Sequence, residues 1–226
     1  MKIMKVYHIA PALSKTGGGI SETLINLCKV QLKAGLSVSA FGGDLSYPDE
    51  ILGIEYKKWN FSTLLNLFFQ LKCSRNNKVI IHVHGAWTLS FVYVAILMLF
   101  SNKKIKFIYQ AHGLLASNLV HGKSFYKKLI AWNLYQRFIL RNSDFIISTS
   151  QREINDFKWC NPDLNKVFEI PLGISEVFFV PIDNDNIRST SLLFMSQIIP
   201  VKGLEILLES FYRLKNESKT MIFLDV

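Results

Sequence analysis

Apolar residues follow two rhythms along this chain. Short continuous runs of β-branched and aromatic residues predict strands at Ile3–Ala10, Leu36–Phe41, Val79–His84, Lys106–Tyr109, Phe145–Ser148 and Val167–Ile170. Between them, apolar residues recur every three or four positions. That spacing predicts helices at Ile20–Ala34, Phe61–Lys72, Leu89–Phe100, Lys123–Leu140 and Gln151–Lys158. Gly35, directly after Ala34, is a stop signal for the first helix. Uninterrupted runs such as VIIHVH suit strands buried on both faces, hence a parallel sheet covered by helices. The alternation predicts a doubly wound, Rossmann-like α/β fold.

The pattern breaks at Pro171. The stretch PLGISEVFFVPIDNDNIRST reads as a linker from its Pro, Gly, Asn and Asp content. A new strand-helix-strand unit follows: SLLFMS, QIIPVKG, a helix over Leu204–Leu214, and TMIFLDV. One such unit does not cover its own apolar surfaces, and two strands make a marginal sheet. The expected organisation is a Rossmann-like domain over 1–171, a linker over 172–190, and the truncated start of a second Rossmann-like domain over 191–226.

Composition narrows the class. Half of the 226 residues are apolar, enough for a large core and too many for disorder. Cys28, Cys73 and Cys160 are scattered with no CxxC pair, which points to a reducing compartment without disulfides or a zinc knuckle. The N-terminus carries no secretory signal pattern, and the run LSFVYVAILMLF is short of the ~20 residues a spanning helix needs. A cytoplasmic protein is expected. The net charge of +9 gathers in one place. Between Ser101 and Asn142 lie Lys103, Lys104, Lys106, Lys123, Lys127, Lys128, Arg137 and Arg141, with no acidic residue. Such clustering implies an anionic partner. Around Lys123, Lys127 and Lys128, bases interleave with Phe125, Leu129, Ile130, Trp132, Tyr135, Phe138 and Ile139, a pattern suited to an anionic membrane surface. An ordinary amphipathic helix with a solvated basic face fits the same letters. No signature supports nucleic-acid binding.

In doubly wound sheets, ligands bind beyond the carboxyl ends of the strands. Four features fall there: the glycines Gly17, Gly18 and Gly19 after the first strand, HVHGAW, QAHGLL, and Lys202-Gly203 in IIPVKG. The glycines allow two readings. They relieve a loop that needs positive φ, or they leave the helix start bare for a ligand. GGGISE fails the dinucleotide fingerprint because Glu22 stands where the last glycine belongs. That weakens an oxidoreductase reading, although Asp44 stands roughly where a ribose ligand belongs. His82 and His84 are spaced to face one way, but no third ligand follows at suitable spacing, so no metal is expected. Glu205 and Glu209 read as a solvated helix face.

Taken in order, GGGISETLINLCKVQLKAGLSV, HVHGAW, QAHGLL, EIPLGI and LLFMSQIIPVKGLEILLESF resemble a family 4 glycosyltransferase of the GT-B fold, the bacterial polysaccharide-building kind. The resemblance implies two facing Rossmann-like domains, with acceptor held mainly by the first and nucleotide-sugar mainly by the second. It implies transfer with retention of anomeric configuration and without a required metal or other cofactor. By residue, it implies that Gly18 and Gly19 line the cleft opposite the donor diphosphate. His112 contacts the donor sugar near the reacting centre, and Lys202 neutralises the departing diphosphate. His84, Gly113 and Gln197 join them as substrate-binding residues. The partners implied are a UDP- or GDP-linked sugar, a lipid-linked glycan acceptor of capsule, exopolysaccharide or O-antigen synthesis, and the anionic surface of the inner membrane.

The chain also departs from the family. Gln197 stands where an arginine usually assists the lysine, and losing such a donor typically costs ~10²–10³ in rate. The downstream acidic motif that grips the nucleotide-sugar has no counterpart. This chain alone is therefore expected to transfer sugar poorly. The alternative is a non-catalytic remnant that binds membrane or acceptor.

Overall fold

The computed structural model describes residues 4–14, 18–43, 54–73, 78–102, 104–120, 124–174, 191–196, 198, 202–217 and 223–225. The chain divides into two compact units, 1–175 and 176–226. Of the linker expected over 172–190, the part from 175 onward lies outside the described residues.

In the first unit the elements run β1 (Lys5–Ala10), α1 (Gly18–Lys33), β2 (Ser37–Gly42), β3 (Glu55–Lys58), α2 (Phe61–Cys73), β4 (Val79–His84), α3 (Val92–Phe100) and β5 (Ile105–Gln110). They continue with α4 (Ser117–Val120), α5 (Phe125–Ala131), α6 (Arg137–Asn142), β6 (Phe145–Ser148), α7 (Gln151–Asp156) and β7 (Val167–Glu169). All seven strands are parallel, in the order β3-β2-β1-β4-β5-β6-β7. The Rossmann-like expectation holds. Side chains alternate across each strand, so one face of the sheet carries Tyr7, Ile9, Ile81, Val83, Phe107 and Tyr109. Leu64 and Leu67 of α2, Val94 and Leu97 of α3, and Ile139 and Leu140 of α6 close over them. The other face carries Ala10, Val38 and Ala40 beneath Leu24 and Cys28 of α1. His8, His82, His84 and Gln110 alternate onto this second face.

Two elements depart from the sequence expectation. The helix expected over Lys123–Leu140 is α5 and α6 joined by a five-residue π-helical segment, Trp132–Gln136. The extra residue turns Gln136 fully inward, where its Nε2 donates to the Tyr109 hydroxyl (2.8 Å) and its Oε1 accepts from the Trp87 N–H (3.2 Å). Strand β3 has no sequence expectation, because its four residues EYKK sit at the sheet edge with only part of their surface covered.

The expected stop of α1 is present. Gly35 takes φ of +80°, its N–H donates to the Leu32 carbonyl, and the Leu36 N–H donates to the Gln31 carbonyl. This pair of bonds is a Schellman motif. It fixes the last turn of α1 and with it the position of Gln31.

The second unit contains β8 (Ser191–Leu193), α8 (Leu204–Glu217) and β9 (Phe223–Asp225), with β8 and β9 paired in parallel.

Candidate functional site

Strand order reverses between β1 and β4: the chain leaves β1 toward β2 and β3, then crosses to the other side. Ligands of doubly wound sheets bind at the carboxyl ends of strands at such a switch point. The loops after β1, β4 and β5 all arrive here.

Three histidines and a glutamine form a hydrogen-bonded chain under α1. Gln31 Oε1 lies 2.7 Å from His8 Nε2, and His8 Nδ1 lies 2.9 Å from His84 Nε2. His84 Nδ1 lies 3.0 Å from His112 Nε2. His82 lies against His84 with ring centroids 3.9 Å apart and the rings tilted by 32°, and its Nε2 has no hydrogen-bond partner among the described residues. Burial dominates the chemistry of these rings by disfavouring the charged form. It lowers His8 to about 4 against the opposing pull of Gln31. It holds His82 and His84 well below the usual histidine range, helped by the neighbouring rings. His112 is also lowered by burial, with Glu153 pulling the other way. All four are neutral near pH 7.

His112 and Gly113 both lie in the left-handed region, with φ of +54° and +75°. A non-glycine residue there is uncommon and stays only where its surroundings hold it. The holding group is Glu153, 5% exposed. Its Oε1 accepts from the Gly113 N–H (2.6 Å), and its Oε2 accepts from the Thr149 N–H (2.7 Å) and the Thr149 hydroxyl (2.8 Å). Two tryptophans pin the same turn: Trp87 Nε1 donates to the Leu114 carbonyl and Trp159 Nε1 to the Leu115 carbonyl, each at 2.7 Å.

The structure brings His84 and His112 into direct contact. His84 is fully buried with both ring nitrogens engaged, so any role it plays runs through His112. Gly18 opens α1 with φ of +63°, and Gly17 lies outside the described residues. Gly19 has no positive φ, and a Cβ there meets no atom within 4 Å, so neither backbone nor packing requires glycine at that position. In the second unit, Lys202 is exposed just ahead of α8, beside Gly203 at φ of +75°, while Gln197 lies outside the described residues. Lys123 also lies outside them.

Lys127 is exposed and Lys128 half-buried on α5, where Lys128 Nζ sits 5.9 Å from the Trp87 ring centroid. The basic segment is less free of acid than the sequence indicates, because Lys106 Nζ pairs with Asp144 at 2.6 Å, two residues beyond its end.

Sequence reasoning missed His8, Gln31 and Glu153. The expectation that His82 and His84 lack a third neighbour is corrected: His8 stands opposite His82 in register, and ring nitrogens of His8, His82 and His84 lie within 4.8 Å of one another. That is a spacing at which metal ligands converge, although His8 Nδ1 and His84 Nε2 already bond to each other. The available signal was a histidine inside each of two apolar strands. Glu153 did have a local signal, since Ser150 and Glu153 have capping-box spacing and the Ser150 hydroxyl accepts from the Glu153 N–H. A groove of about 440 Å³ opens at the opposite edge of the sheet, lined by Lys5, Ser37 and Val79, the first residues of β1, β2 and β4.

The model of the family described as Glycosyltransferase Family 4 matches residues 17–177. No curated protein matches the chain in sequence. Among solved structures, Anabaena HepE in complex with UDP-glucose is similar, with a TM-score of 0.62 and 15% identity over 93% of this chain and 57% of that one. WaaG, a glycosyltransferase involved in lipopolysaccharide biosynthesis, is similar with a TM-score of 0.56 and 12% identity over 97% and 62%. The UDP-GlcNAc 2-epimerase of Methanocaldococcus jannaschii is similar with a TM-score of 0.51 and 13% identity over 99% and 66%. The chain spans less than two thirds of the length of each. These likenesses establish a GT-B architecture, and an epimerase among them shows that architecture alone does not choose the reaction.

Proposed function

The chain belongs to glycosyltransferase family 4, and from that premise we propose that it serves transfer of a sugar from a nucleotide-sugar to a glycan acceptor with retention of configuration. The anomeric carbon loses its bond to the diphosphate oxygen and gains one to the acceptor oxygen on the same face, while the acceptor hydroxyl gives its proton to the departing diphosphate. Lys202 offers its charge to the departing diphosphate. His112 faces the sugar, and the bare backbone at Gly18 and Gly19 admits it. The observation that carries this reading is the strained His112–Gly113 turn, held at the switch point by Glu153 and His84. Strain of this kind concentrates where ligands are handled. The open space at Gly19 supports the ligand-approach reading at that position, whereas Gly18, at φ of +63°, answers to the positive-φ one.

The acceptor we propose is lipid-linked, as in cell-surface polysaccharide synthesis, and met at the cytoplasmic face of a membrane. Among the described residues no helix is long and apolar enough to cross a bilayer. Tyr126, Leu129, Ile130 and Leu134 are nonetheless exposed beside Lys127, as an interfacial helix requires. The same face favours, as a second reading, a membrane-binding module without catalysis.

Titrating the isotope-labelled chain with UDP-glucose tests the site. Weak, millimolar binding is expected, with amide shifts at Gly19, His112 and Gly113 that His112→Ala removes. Shifts confined to Lys5, Ser37 and Val79 at the opposite sheet edge would overturn the assignment.

A further inference from the structure

We propose that Gln31 decides which nitrogen of His112 carries the proton, so that His112 presents a bare Nδ1 that accepts a hydrogen bond from a ligand hydroxyl. The deduction needs only the three distances and the rule that a neutral imidazole has one N–H donor and one acceptor nitrogen. An amide oxygen only accepts. Because Gln31 Oε1 faces His8 Nε2 at 2.7 Å, the His8 proton is on Nε2. His8 Nδ1 is then bare and accepts from His84 Nε2 at 2.9 Å. That uses the single proton of His84, leaving its Nδ1 to accept from His112 Nε2 at 3.0 Å. The proton of His112 is therefore on Nε2. Its Nδ1, which has no hydrogen bond to any described residue, keeps its lone pair.

Burial secures the premise that each ring is neutral, since all three are held below their ordinary range. Gln31 acts through two other residues and is a positioning residue. Turned end for end, its amide would donate to His8, every proton in the chain would move to the other nitrogen, and His112 would present an N–H instead. The Schellman stop at Gly35 fixes the turn of α1 that carries Gln31. A bare Nδ1 selects a ligand that offers a hydroxyl at this point and disfavours one that offers a carboxylate or a phosphate oxygen.

The consequence for the ligand rests on the reading of His112 as the sugar-facing group, but the position of the proton does not. Long-range proton–nitrogen correlation spectra of the histidine-labelled chain near pH 7.5 read the tautomer of each ring. The chain has five histidines, so single substitutions assign the signals. His8, His84 and His112 are each expected to carry the proton on Nε2. Gln31→Glu, still an acceptor, keeps that pattern. Gln31→Met removes the director and moves the His112 Nδ1 signal toward the average of the two tautomers. A proton on Nδ1 of His112 in the unaltered chain would overturn the proposal, as would an unmoved His112 signal in a folded Gln31→Met variant. An Nε2–H on His112 with no response to UDP-glucose would instead count against the sugar site and leave the relay standing.

Discussion

The two units build on the same strand-helix-strand plan and end with different degrees of cover. In the first, helices close both faces of a seven-stranded sheet, and Ile9, Ile81, Val83, Leu97 and Tyr109 are fully buried. In the second, Leu193, Met195, Ile206 and Tyr212 are 72%, 87%, 72% and 67% exposed around a pair of three-residue strands. Local propensity is similar in both. Among the described residues, what differs is whether each layer has another layer against it, and that decides how much apolar surface leaves water. Stability is therefore expected to be uneven along the chain, and the unevenness is measurable.

Hydrogen exchange should show the contrast at its largest. Amides of β1, β4 and β5 exchange only through global opening, whereas those of α8 exchange through local opening. A gap of at least about a thousandfold in protection, roughly 4 kcal/mol, is expected near pH 7. Equal protection in the two units would break the comparison.

Single substitutions sharpen it. Ile81→Ala removes a fully buried side chain and is expected to cost about 2–5 kcal/mol in urea unfolding. Ile206→Ala removes one that is mostly in water and should stay within about 0.5 kcal/mol. A large loss at Ile206 would mean that its face is covered in solution.

Acid separates the units by another route. All five histidines lie in the first unit, and the second has none. His8 has a folded pKa of about 4, below the ordinary 6.5, so the unfolded chain takes up its proton first. The stability this lends is complete above about pH 6.5 and is lost as pH falls toward 4. Linkage puts the loss from His8 alone at about 2 kcal/mol by pH 5 and about 3 kcal/mol near pH 4. His82, His84 and His112 are shifted the same way and add to it. Urea titrations at pH 7 and pH 5 should show the first unit weakening while protection at α8 changes little. A first unit indifferent to this range would mean that the rings are hydrated rather than buried.

The same contrast explains what could be read from the letters. Periodicity exposed most of the first unit because burial writes itself into strands such as VIIHVH and into helices with one apolar face. It missed β3, whose residues EYKK answer to an edge and not to a core. The π segment escaped because one extra residue inside a helix leaves the apolar spacing nearly intact. His112 and His84 were legible through the turn motifs that follow their strands. His8 and Gln31 were not, because the relay depends on β1 and β4 being neighbours, and adjacency across a switch point leaves no local trace. Glu153 was half legible: its capping box is local, but its bond to Gly113 spans 40 residues.

One part of the first unit is as bare as the second, and it gives the smallest effect. Tyr126, Ile130 and Leu134 are 79%, 66% and 60% exposed along α5 and the π segment. Bare apolar side chains on α8 share that helix with Glu205, Glu209 and Glu217 as well as Arg213 and Lys215, whereas these share α5, the π segment and α6 with Lys127, Arg137 and Arg141, all exposed. Each base near an anionic bilayer contributes about 1 kcal/mol, and added salt screens it. Lys106 is set aside because Asp144 already pairs with it, and Lys128 counts for less because it leans over Trp87. Reversing the charge of Lys127 to Glu should therefore weaken co-sedimentation with phosphatidylserine vesicles at least about fivefold, with a smaller loss for Lys128→Glu. Both effects should shrink as salt rises. Ile130→Ser should weaken binding at every salt concentration, since it removes apolar contact and not charge. Vesicle binding that ignores all three changes would make this strip an ordinary solvated surface.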